Sequence, residues 1–160
     1  MDNKKRNDAV NVDEIVSRVL ENINSAPKLT LNKAVKLMSA VEDRARALGK
    51  QIAVAIVNSE GNTVAVHVMD GAYLVSCDVA IKKAYTAVAV KMPTIELQKL
   101  CQPGETFYGL QANEKLVIFG GGVPIAHEGQ IIGGLGISGG TGEEDHALCE
   151  YALTLLGKIL

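Results

Sequence analysis

The chain has 160 residues, 48% of them hydrophobic, with a formal net charge of −2. That length fits one domain with one sizeable core, which near this size buries roughly 68–70% of the surface exposed by the unfolded chain. The slight acidity and an aromatic content of 4% exclude an oligonucleotide surface, which needs a basic stripe or a stacking platform. No apolar run approaches the ~18 residues of a membrane span. The polar start MDNKKRNDAVN lacks the apolar stretch and cleavage site of a secretory signal, so a cytoplasmic protein without nucleic-acid or membrane partners is expected. Cys77, Cys101 and Cys149 are odd in number and far apart, which suggests buried small hydrophobes rather than a disulfide framework or a zinc ribbon.

Residues 1 to 11 read as a disordered polar start. From Asn11, Val12, Ile15, Val16, Val19, Leu20 and Ile23 recur at helical spacing and form one apolar stripe, with Asn11 as cap and Asp13 and Glu14 in the favourable first turn. NSAPK then reads as a linker. A helix this short is marginal alone in water, so the stripe must dock either on its own domain or on a partner. A second helix is predicted from the N-cap Thr30 to Leu48, with Leu31, Ala34, Val35, Met38, Val41, Ala45 and Leu48 on one face and Gly49 as its stop. Ile52 to Val57 and Thr63 to Val68 flank the turn cluster Asn58 to Asn62 and predict a hairpin.

A third helix is expected within Ala72 to Met92, with Cys77, Ala80, Ile81, Ala84, Tyr85 and Val88 on one face. Thr94 is expected to cap a short helix through Leu100. Three strands follow at Leu116 to Phe119, Val123 to Ala126 and Gln130 to Ser138, the last two joined around Glu128-Gly129. Thr141 and Glu144 form a capping box for a last helix that carries Leu148, Tyr151, Ala152, Leu155, Leu156 and Ile159 on one face. The order predicts an α+β domain with a five-stranded, mostly antiparallel sheet packed with helices.

Glycines concentrate between Gly120 and Gly142, and Gly134 to Gly139 is a literal GxGxxG between a strand and a helix. A dinucleotide fold needs a further strand carrying an acidic residue after that helix, and here the helix ends the chain. No Gly-Lys-Ser/Thr follows the glycines, so a phosphate loop is excluded as well. A helix N-terminus behind glycine-rich backbone receives anions in general, but Glu143, Glu144 and Asp145 crowd this one with negative charge. Turns and close strand packing are the competing explanation for the glycines. Of the three histidines, His67 sits near a strand end on the face opposite Val66 and Val68. It reads either as a solvent-facing strand residue or as an axial or edge contact to a flat ligand. His127 and His146 read as exposed. Asp70-Gly71 suits a turn that orients the third helix.

MDGA at Met69 to Ala72, KKAYTA at Lys82 to Ala87, PT at Pro93-Thr94, GGGVPI at Gly120 to Ile125 and GGLGISGGTGEED at Gly133 to Asp145 together resemble the GlcG/HbpS family. The family includes the C-terminal domain of PduO-type proteins. The resemblance spans Leu29 to Leu160 and divides the chain into residues 1–27, a start plus an amphipathic targeting helix and linker, and residues 28–160, a GlcG/HbpS-like domain. It implies a profilin-like fold, homo-oligomers and haem binding, with haem degradation or redox sensing in some relatives. The short helix and linker resemble encapsulation peptides, which implies that residues 12–23 meet a bacterial microcompartment shell or cargo and that the protein resides in its lumen. Val68 stands where the family commonly has arginine, and the adenosyltransferase domain of the PduO arrangement is absent, so corrinoid adenosylation is not expected.

The resemblance implies a homo-oligomeric tetrapyrrole-binding accessory protein whose cofactor is haem, with cobalamin as the other candidate. A non-catalytic assembly protein and a haem-degrading oxidoreductive enzyme are the alternatives. His67 is the candidate for iron or for an edge contact, Lys83 for a propionate, and Asp70 and Thr94 for the pocket wall. Gly121, Gly122 and Gly139 are the candidates for close backbone approach to the ligand plane.

Overall fold

The computed structural model describes residues 11–25 and 28–160. Residues 1–10 of the expected disordered start and Ala26-Pro27 of the linker lie outside the described residues, as does the side chain of Ile23. Helix α1 (Val12–Ser25) begins where Asn11 Oδ1 accepts from Glu14 N at 3.3 Å, and Arg18 pairs with Glu14 one turn away at 2.8 Å. Helix α2 (Leu31–Ala47) starts at Thr30, whose hydroxyl accepts from Lys33 N. It stops before Gly49, which takes the left-handed conformation at φ +68°.

Among the described residues four strands, not five, form the sheet: β1 (Ala53–Asn58), β2 (Thr63–Val68), β3 (Gly122–His127) and β4 (Gln130–Ser138), all antiparallel in the order β2-β1-β4-β3. Both hairpins fall where turn residues predict them. Glu128 (φ 48°) and Gly129 (φ 78°) make the tight turn between His127 and Gln130, with the double positive φ that matches strand twist. Pro124, which lacks a donor, lies in edge strand β3. The expected strand at Leu116 to Phe119 is absent. Its backbone joins no ladder: Leu116 N donates to Asn113 O and Val117 N donates to the Thr86 hydroxyl. Four consecutive apolar residues mimic a buried strand, and periodicity cannot separate that from an apolar connection over a helix.

The sheet has helices on both faces. Helix α3 (Ser76–Val90) covers one face, while α2 and α5 (Gly142–Thr154) cover the other, and α6 (Leu156–Ile159) closes the chain. The alternation along β1 explains the division. Val54 and Ile56 enter the large core with Leu37, Met38, Val41, Leu135, Ile137 and Leu148, whereas Ala53 and Ala55 meet Ala80 of α3. Small residues on the α3 side bring helix and sheet to backbone contact. A side-chain carbon at Gly136 would lie 2.0 Å from Ala80 O, at Gly134 2.5 Å from Ala84 O, and at Gly122 2.4 Å from Lys83 O. Three of the motif glycines are therefore positions where a helix backbone lies against the sheet.

Gly136→Ala is expected to overpack this contact and destabilise the protein by at least about 1–3 kcal/mol. Gly157→Ala, with open space around it, should be neutral or stabilising by a few tenths to about 1 kcal/mol. Urea unfolding of both variants checks this, and equal midpoints would refute the packing role.

Candidate functional site

All of the predicted site residues except Gly139 fall into two separate places. The first is interior. Lys83 of α3 is 1% exposed, and its ammonium donates to Asp145 Oδ2 at 2.7 Å and to Ile137 O at 2.8 Å. Asp145, in the first turn of α5, accepts a second bond on Oδ1 from Gly140 N at 2.9 Å. Phe119 lies over the ammonium, 5.1 Å from ring centre to Nζ, and adds a cation–π contact. Gly121, at φ +109°, leaves the room this pair needs, since a side-chain carbon there would lie 2.7 Å from Lys83 Nζ. Thr94 does not cap α4 (Thr94–Leu100) as expected, because Pro93 occupies the cap position. The buried Thr94 hydroxyl instead accepts from Gly122 N at 2.8 Å.

Lys83, Thr94, Gly121 and Gly122 thus form one polar seam joining α3, α4, β3 and α5. In this arrangement Lys83 is committed to Asp145 and offers no cation to solvent, which corrects its assignment to a ligand carboxylate. Gly139 lies elsewhere, where a side-chain carbon would meet Gln51 O at 2.5 Å. Cys149 Sγ donates to Gly121 O at 3.3 Å, and full burial pushes its thiol far above the ordinary range, which makes it inert. The capping box at Thr141 is formed, and Glu144 also pairs with Lys50 at 2.6 Å. These bonds hold the Glu144 carboxyl below its usual range, so the N-terminus of α5 is already supplied with its own anions.

The second place is open. A cleft of about 650 Å3 lies between the C-terminal half of α2 and the end of β2, lined by Glu42, Arg46, Lys50, Gln51, His67, Met69 and Asp70 among others. His67 pairs with Val54 across the ladder and so shares its face with the α2 side of the sheet, not with free solvent. Its Nδ1 lies 2.5 Å from Glu42 Oε1. Met69 N donates to Ile52 O and carries the strand pairing one residue further, after which Gly71 at φ +84° turns the chain and leaves Asp70 at the cleft edge. Arg46 and Lys50 place two cations on the cleft, paired with Asp43 at 2.7 Å and with Glu144 at 2.6 Å.

Sequence reasoning finds His67 and Asp70 but misses Glu42, Arg46 and Lys50. The available signal is the spacing of Glu42 and Arg46, one helical turn apart and flanking the buried Val41 and Ala45. His146 is not exposed as expected: its side chain is 21% exposed, and its buried Nδ1 has no hydrogen-bond partner among the described residues. Among the described residues, no group of three or more His, Cys, Asp or Glu side chains gathers to hold a metal ion, and no helix is long and apolar enough to cross a membrane.

Removing Lys83 would leave Asp145 buried and unpaired. Lys83→Met is expected to lower stability by about 3–5 kcal/mol. Adding Asp145→Asn, which still accepts from Gly140 N, should restore a large part of it. Denaturant midpoints check this, and a single variant within about 0.5 kcal/mol of wild type would refute the role of the pair.

The family described as "Haem degrading protein HbpS-like" matches residues 29–154. A 15.0 kDa protein from the dhaT–dhaS intergenic region of Citrobacter freundii is 40% identical over 133 residues, which cover 82% of this chain and 94% of that one. The corrinoid adenosyltransferase PduO of Salmonella typhimurium is also 40% identical, over 80% of this chain, but the match spans only 39% of that enzyme. Among solved structures, a PduOC:heme complex superposes with a TM-score of 0.77 at 40% identity, covering 80% of this chain and 94% of that one. Protein ORFY of Klebsiella pneumoniae gives 0.79 at 34% identity, covering 85% and 97%. With the fold in common with such structures, this chain belongs to the HbpS-like family.

Proposed function

We propose that this protein is a homo-oligomeric haem-binding accessory protein of a bacterial microcompartment. The observation that carries the haem reading is the cleft beside His67. Its volume of about 650 Å3 lies within the range of roughly 300–1,000 Å3 typical of small-molecule sites. His67 has one ring nitrogen held by Glu42 and the other without a partner among the described residues. The residues present fit the group: His67 would hold the iron, Arg46 and Lys50 would meet the two carboxylates, and Met69 would pack on the macrocycle edge. Asp70 would shape the entrance. Bound haem would supply redox and oxygen chemistry, while this chain's own residues bind and orient it and set how much water reaches it. Haem is favoured over a corrinoid because the solved relative's complex is with haem.

The oligomer reading rests on Tyr73, Leu74 and Val75, a consecutive apolar run that is 69%, 98% and 61% exposed just beyond the cleft residues Met69 and Asp70. The microcompartment reading rests on α1, whose Val12, Ile15, Val16, Val19 and Leu20 form an exposed apolar stripe. A stripe of this spacing suits a groove on a shell or cargo protein. Haem degradation is a second reading, favoured by the family description and by a single histidine in the cleft, since one histidine could leave the open iron site that such chemistry would need.

Titration with haemin is expected to give a saturable Soret shift that His67→Ala weakens at least tenfold. A flat titration of the wild-type protein would overturn the haem reading, and bilin formation with a reductant would establish degradation. Residues 1–27 fused to a fluorescent protein should concentrate in puncta in a microcompartment-forming host, whereas diffuse fluorescence would count against delivery by α1.

A further inference from the structure

A carboxylate faces the proposed iron ligand from behind, and the role assigned to it rests on the haem reading of the cleft. Glu42 and His67 are 25 residues apart in sequence and meet because α2 crosses the face of the sheet onto which β2 turns His67. The side chain of Glu42 is 18% exposed and that of His67 35%, so the carboxylate lies deeper than the ring. An ionised carboxylate only accepts, so the proton of a neutral ring sits on Nδ1 and donates to Glu42 Oε1, while Nε2 keeps its lone pair. Both cations nearby have carboxylates of their own, Arg46 with Asp43 and Lys50 with Glu144. Among the described residues the Glu42 carboxylate has no other side-chain hydrogen bond, so its charge acts on the imidazole.

We propose that Glu42 is a positioning residue for haem: it fixes the tautomer and the plane of His67 so that Nε2 faces the cleft, and it makes that nitrogen a stronger donor to ferric iron. Carboxylates behind ligating histidines orient the ring and raise its basicity, and their loss typically weakens metal affinity by about 10- to 100-fold. Hydrogen bonding behind an axial ligand also tunes the reduction potential. A stronger donor stabilises the ferric state, so the carboxylate lowers the potential. The spacing of Glu42 and Arg46 marks only a shared helix face, and the contact of Glu42 with His67 arises when α2 packs on the sheet.

Two measurements test it. In the haem-free protein, nitrogen-15 NMR of the histidines, recorded at a pH high enough for every ring to be neutral, should show His67 as a single tautomer protonated on Nδ1. Glu42→Leu should abolish that selection, and a tautomer unchanged in that variant would overturn the proposal before any haem is added. In the haem-loaded protein, Glu42→Gln retains an acceptor without charge. It should bind haemin about 10- to 100-fold more weakly and shift the ferric/ferrous potential upward, with Glu42→Asp recovering part of both. If His67→Ala abolishes the Soret shift while Glu42→Gln retains wild-type affinity and potential, only the role of Glu42 falls. If wild-type protein gives no Soret shift, the haem reading falls and the role of Glu42 with it.

Discussion

Helix α3 lies against the sheet at backbone distance, and most of the architecture depends on that contact. Gly122, Gly134 and Gly136 remove side chains where the carbonyls of Lys83, Ala84 and Ala80 arrive. Ala53 and Ala55 keep the same face shallow. Such a close layer has no room for large apolar side chains, so the bulk of the hydrophobic stabilisation comes from the opposite face, where α2 and α5 cover Val54, Ile56, Leu135 and Ile137. The thin layer is held from its edge by Lys83, which reaches past the glycines to Asp145 on the far side. A buried pair of this kind adds little net stability over an apolar replacement, although losing one partner leaves the other charge buried and uncompensated.

That arrangement decides where a ligand has space. The α3 face is filled by backbone and the core between the sheet and α2 is filled by aliphatic side chains, so the cleft opens at the margin, where the end of β2 passes the last turns of α2. The margin is also where chain polarity changes. The buried stripe of α2 gives way to Glu42 and Arg46, and β2 runs out through His67 into Met69 and Asp70. A histidine with a carboxylate behind it and cations beside it therefore follows from the boundary of the core.

The strands that do form, most turns and the caps other than the one expected at Thr94 are legible in the sequence because each is written locally: Thr141 with Glu144, Gly49 after α2, Glu128-Gly129 between β3 and β4. Leu116 to Phe119 reads as a strand only because four apolar residues carry no period, and the segment's backbone is satisfied by Asn113 and Thr86 instead of by a ladder. The candidate site is only half legible. Asp70 stands in a family motif and His67 near a strand end two residues before that motif, but Glu42 reaches His67 only through tertiary packing. Lys83 reads as a free cation because its partner Asp145 lies 62 residues away. The glycine motif shows the same limit from the other side: its composition signals close approach, and the sequence does not say that a helix of the same chain is what approaches.

Whether the cleft between α2 and the end of β2 holds haem on His67 is decided most directly by a crystal structure of the haemin-loaded protein. The macrocycle is expected in that cleft, with iron bonded to His67 Nε2, Nδ1 still donating to Glu42, and the carboxylates turned toward Arg46 and Lys50. Haem seated elsewhere, with His67 and Glu42 still paired beside an empty cleft, would rule the assignment out.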